Sequence, residues 1–143
     1  MLGRVEEALR IERDVYSGYV KLNGEEARDT LHEALNFAMT LRKAGHKPEA
    51  KEFLRTRSPV ADRALGRENY ISLRLRWLHA NSLCDDADAT LDELVQAEAT
   101  LKSVLGSWRR IMGASHPDTI PLEHAVVRVQ AALAAHQSAP GDS

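Results

Sequence analysis

With 143 residues, 43% of them hydrophobic and 28% charged, the chain fits one soluble globular domain and is neither disordered nor membrane-spanning in character. A net charge of −2 offers no footing for nucleic acid, which calls for a strongly basic face, and no stretch approaches the roughly 18 apolar residues that direct membrane insertion needs. Cys84 is the single cysteine, which rules out an internal disulfide and points to a reducing, intracellular and in the first instance cytoplasmic setting.

Helix formers dominate and alternating β-branched runs are scarce, so the reading is all-α. The first predicted helix, 5–22, sets Val5, Ala8, Leu9, Val15, Tyr16, Tyr19 and Leu22 along one broad face, although its acidic residues (Glu6, Glu7, Glu12 and Asp14) are unlike a signal or transit peptide. Asn23-Gly24 stops it. The second, 30–43, carries Leu31, Leu35, Ala38, Met39 and Leu41 and ends at Ala44-Gly45. The third, 48–65, ends at Gly66, and the fourth, 69–84, runs into the acidic connector Asp85-Asp86-Ala87-Asp88. The fifth, 90–112, opens on a Thr90/Glu93 capping box and ends at Gly113. The sixth, 117–135, has Pro117 in its first turn, where a missing N–H costs nothing. Residues 1–136 form the folded domain and 137–143 read as a flexible tail. Ser17, Pro59 and Gly106 are poor helix formers at like places in three long helices, and a bend is expected at each, sharpest at Pro59.

These helices repeat. Gly3, Glu7, Ala8 and Gly24 return 42 residues on as Gly45, Glu49, Ala50 and Gly66, and Thr30, Leu31, Ala38 and Leu41 return as Ser72, Leu73, Ala80 and Leu83. At a spacing of 47, Ala50, Leu54, Gly66, Ser72 and Leu73 become Ala97, Leu101, Gly113, Thr119 and Ile120. A period of this size means stacked helical hairpins. Small residues at Ala8, Ala38, Ala50, Ala80 and Ala97 would let paired helices approach closely. The five extra residues of the second unit fall near Asp85–Ala89, in a connector.

Gly45-His46-Lys47-Pro48-Glu49-Ala50 and Gly3-Arg4-Val5-Glu6-Glu7-Ala8 resemble the G-x-Y-x-x-A turn of tetratricopeptide repeats. Gly113-Ala114-Ser115-His116-Pro117-Asp118-Thr119 is similar to the linker of the kinesin-light-chain subtype, whose repeats are 42 residues long as here. The tyrosine of the turn is Val5 and Lys47 in this chain. Arg57 stands at an expected alanine of a tight helix pair, from which its long stem would carry the charge to solvent. The resemblance implies a right-handed α-solenoid of about six helices, its first helices lining a concave groove. The groove would be faced by His32, Leu35, Met39, Arg42 and Lys43, then by Arg74, Trp77, Asn81 and Asp85, and finally by His124 and Arg128.

The chemistry of that set suits a protein or peptide partner of acidic character, with Trp77 either its apolar anchor or, as the more common role of a tryptophan, packing against the adjacent repeat. His116 and Asp118 read as acceptors at a helix start, not as a catalytic pair. Asp85, Asp86, Asp88 and Asp92 lack the glycine and terminal acid of a calcium loop, because Leu91 and Ala97 hold those places. Cys84 reads as an apolar filler, and no spacing of histidine, cysteine or glycine suggests a metal, cofactor or phosphate site. The expectation is therefore a non-enzymatic scaffold or adaptor. The competing reading is a constitutive subunit of a larger assembly, or a self-associating chain, joined through its helix ends.

Overall fold

A computed structural model describes residues 2–138, and all of their regular structure is helical. Six helices follow in order: α1 Leu2–Asn23, α2 Arg28–Lys43, α3 Lys47–Leu65, α4 Tyr70–Cys84, α5 Leu91–Met112 and α6 Thr119–Ser138. Residues 139–143, the end of the expected tail, lie outside the described residues, while α6 continues through 137 and 138. α3 runs unbroken through Pro59, whose ring sits on the exposed side of the helix, as do Ser17 and Gly106 on theirs.

The chain divides into two compact units, Met1–Leu78 and His79–Ser143. In the first, α1 packs on α2 and α2 on α3, and the start of α4 joins them. One cluster gathers Leu31, Leu35, Ala38, Leu54, Ala61, Ile71 and Leu75. A second joins Leu9, Phe37, Leu41 and Ala50. Tyr16, Phe37 and Phe53 tie three helices together, with Phe37 and Phe53 edge-to-face at 5.1 Å, Tyr16 and Phe53 likewise at 5.2 Å, and Tyr16 stacked on Phe37 at 6.0 Å. In the second unit α5 packs on α6, with Leu94, Ala97, Leu101, Val104 and Trp108 buried on one helix and Leu122, Ala125, Val129 and Leu133 on the other.

Ala38, Ala50, Ala80 and Ala97 are all buried, as close helix approach requires. Ala8 is exposed, and the face of α1 is narrower than the sequence suggests: Leu9 is buried, Val5, Tyr16 and Tyr19 are half-buried, and Val15 and Leu22 face solvent. Arg57 also departs from expectation. Its guanidinium does not run out to water but stays largely covered, 3.3 Å from the Glu25 carboxylate and donating to the Tyr16 hydroxyl at 3.4 Å. An ion pair thus does at that position what extension into solvent was expected to do.

Three like corners close α1, α3 and α5. Gly24, Gly66 and Gly113 have φ of 83°, 93° and 87°, a region that a Cβ strains, and their N–H groups return to Val20, Asp62 and Arg109 carbonyls. Six residues beyond each glycine stands a buried hydroxyl: Thr30, Ser72 and Thr119. Thr119 Oγ1 donates to the Gly113 carbonyl at 3.1 Å and Thr30 Oγ1 to the Tyr19 carbonyl at 3.3 Å, while Ser72 Oγ meets no partner among the described residues.

The helix starts differ in chemistry. Asn69 Oδ1 accepts from the Ile71 N–H at 2.9 Å, and His116 Nδ1 accepts from the Asp118 N–H at 3.0 Å. Pro117 consequently sits in the turn before α6 and not in its first helical turn. Ala27, at the matching place before α2, offers no side-chain acceptor. The Thr90/Glu93 capping box is formed, with Thr90 Oγ1 accepting from the Glu93 N–H at 3.1 Å and Glu93 Oε1 from the Thr90 N–H at 3.0 Å.

Candidate functional site

In the first unit, α2 places His32, Leu35, Met39, Arg42 and Lys43 in one row because they recur at three- and four-residue steps, and α4 does the same for Tyr70, Arg74 and Trp77. The two rows meet at Arg74. Its guanidinium carbon lies 5.1 Å from the centre of the Trp77 ring and 5.9 Å from that of Tyr70, and its Nη2 is 3.9 Å from Met39 Sδ. A cation held among two π faces and a polarisable sulfur is a shelf suited to a flat or anionic group.

Leu35 lies in the core cluster and Trp77 is only 8% exposed, so both form the floor of this face and not its accessible surface. His32 and Lys43 are exposed, and Met39, Arg42 and Arg74 are half-buried. In the second unit, Asn81 is half-buried at the end of α4, with Asp85 exposed just past it, and His124 and Arg128 lie exposed on α6. Burial, with the Asp85 charge adding, pushes the Cys84 thiol up, and Arg128 works against this, so Cys84 is kept as the unreactive thiol. His116 does capping work at the start of α6 and also packs edge-to-face on the buried Trp108 at 5.2 Å, which gives it a structural task.

The sequence reading missed the charged pairs at the corners. Asp62 Oδ1 lies 3.8 Å from Arg76 Nε and its Oδ2 is 3.2 Å from Arg67 Nη1, and Arg76 also donates to the Arg67 carbonyl. Burial raises the Asp62 pKa against the pull of Arg76 and Arg67, and burial lowers that of Arg76 against the pull of Asp62. At the places 47 residues on, Arg109 pairs with Glu123, exposed and with the signs exchanged. The repeat spacing was the signal that could have found both pairs. On α1, Arg13 grips Glu49 through two hydrogen bonds of 2.7 and 3.2 Å, and this holds the Glu49 carboxyl below its ordinary range.

No helix among the described residues is long and apolar enough to cross a membrane, and none of their histidine, cysteine and acidic side chains group as three or more metal ligands. No protein-family model and no curated protein matches the chain.

Proposed function

We propose that the chain is a tetratricopeptide-like α-solenoid of about two and a half repeats that works as a non-enzymatic adaptor, binding a protein or peptide partner. The like corners at Gly24, Gly66 and Gly113, each followed by a buried hydroxyl, support the repeat reading. The observation that carries the binding role is the Tyr70–Arg74–Trp77 shelf against Met39, of which the resemblance assigns Met39, Arg74 and Trp77 to the groove. Arg42 and Lys43 close the row at the end of α2, so an acidic partner segment suits it. An intracellular site of action fits the half-buried thiol of Cys84.

The test is affinity capture from the native source with the intact chain, with Arg74→Ala and with Arg42→Glu/Lys43→Glu, identifying partners by mass spectrometry. Both variants should lose the partner while their helical circular dichroism is unchanged. Undiminished recovery with both variants would refute binding at this row.

A second reading, a constitutive subunit of a larger assembly, is favoured by one observation. Ile11, Val15 and Leu22 on α1 and Ile120 and Val127 on α6 leave apolar surface exposed on each helix. Light scattering after size exclusion distinguishes it, because a stable monomer at high concentration counts against self-assembly.

A further inference from the structure

The repeat spacing exposes one anomaly in the first hairpin. At the seam between the helices that flank each corner, Leu54 faces the same cluster as Leu75 in the first unit, and Leu101 and Leu122 hold the matching places in the second. All four are fully buried. The matching places on α1 and α2 hold Glu12 and Glu33. Two acids therefore stand where the later seams carry two leucines.

By the repeat register Glu12 and Glu33 face the seam between α1 and α2, as Leu54 and Leu75 face theirs. Glu12 Oε2 and Glu33 Oε2 are both shut off from water and meet no donor among the described residues, and the Asn36 amide donates to the other Glu33 oxygen at 3.2 Å. Two ionised carboxylates cannot share such a place without repulsion, whereas a single proton between them makes a charge-assisted hydrogen bond. We propose that Glu12 and Glu33 form a proton-operated latch, in which one shared proton fastens α1 to α2 and its loss loosens the first helix.

The other charged groups of the surrounding elements are paired elsewhere or face solvent. On α1, Arg13 holds Glu49, Tyr16 takes a hydrogen bond from Arg57 of α3, and Glu6 lies 3.0 Å from His46 in the turn before α3. Asp29 and His32 of α2 are exposed, Arg57 is paired with Glu25, and on α4 Arg74 stacks on its aromatic neighbours while Arg76 turns to Asp62. Burial first, and then the Glu33 charge and hydrogen bond, raise Glu12 above its ordinary value of 4.5. The sign follows. The folded state holds this proton more tightly than the unfolded chain, so the latch is fully closed below the ordinary glutamate value and is lost as pH rises through the raised one.

His46 lies 3.0 Å from Glu6 of α1, so the contribution of that contact must be separated. Amide hydrogen exchange of α1, corrected for intrinsic rates, is measured in the full chain from about pH 4 to about pH 8. Protection of α1 should fall by about tenfold for each pH unit by which the pair holds its proton above an ordinary glutamate. His46→Gln should keep that fall. Glu12→Leu/Glu33→Leu, which restores the pair found at the other seams, should abolish it and leave α1 better protected at neutral pH. The same pH course in the intact chain and the dileucine variant would overturn the latch. Should the dileucine variant not fold, a carbon-detected titration of the two carboxyls in the intact chain decides. The latch requires two coupled steps with the upper one raised, and two ordinary independent glutamates would refute it.

Discussion

The corners at Gly66 and Gly113 have nearly the same backbone and opposite chemistry. Their glycines share φ within a few degrees, at 93° and 87°, and ψ of 150° and 157°. Around Gly66 the pair Asp62–Arg76 is drawn inward, with side chains only 17% and 9% exposed, whereas around Gly113 the reversed pair Arg109–Glu123 stays at 49% and 41%. The buried hydroxyl is bonded at Thr119 and unbonded at Ser72. At the first corner the same two places hold Val20 and Ala34, with no charge at all. A repeat therefore fixes where the backbone turns, while burial decides how much each side chain at the turn is worth.

Breaking the two pairs should separate the corners most widely. Arg76→Ala leaves Asp62 in a covered place with Arg67 alone, and should cost about 3 kcal/mol in urea unfolding. Arg109→Ala breaks an exposed pair and should cost about 0–1 kcal/mol. Equal losses would contradict the comparison. Next in size come the glycines. A Cβ at Gly66 or Gly113 would meet nothing within 4 Å, so alanine there costs only backbone strain, about 1–3 kcal/mol and alike at both corners.

The hydroxyls give a smaller contrast. Thr119→Val should cost about 1 kcal/mol, while Ser72→Ala, which removes a buried group without a partner, should be neutral or stabilising. Ala27→Asn should give α2 the cap that Asn69 gives α4, raising stability by about 0.5–1 kcal/mol.

Asp62 adds a pH dependence of stated sign. Its raised pKa means that the folded state favours its protonated form, so its contribution is greatest below the ordinary value of 3.8 and falls as pH rises through the raised one. Asp62→Asn should therefore gain on the native chain in thermal midpoint across that rise. Glu49 runs the other way: Arg13 lowers its pKa, and its contribution is lost as pH falls below 4.5 through the lowered value.

Much of the helix pattern was legible. Positive-φ glycines, the Thr90/Glu93 box and the alanines of the seams are local signals, and each predicted helix lies close to the observed one. Pro117 misled because a histidine ring, and not the proline, satisfies the turn before α6. Arg57 was read as a lone cation because Glu25 and Tyr16 reach it from other elements. Trp77 could not be placed from its helix row alone, because the matching row on α2 carries both the buried Leu35 and the exposed His32. Asp62–Arg76 and Glu12–Glu33 join residues distant in sequence, and only alignment of the repeats against each other brings them out.

The most direct measurement of the claim that equivalent places do equivalent work is a double-mutant cycle at the Gly66 corner, with Asp62→Arg, Arg76→Glu and both together. The double variant carries the signs that the Gly113 corner already bears, and it should recover at least about half of the summed loss of the single variants. Losses that simply add would show that the two corners are not versions of one site.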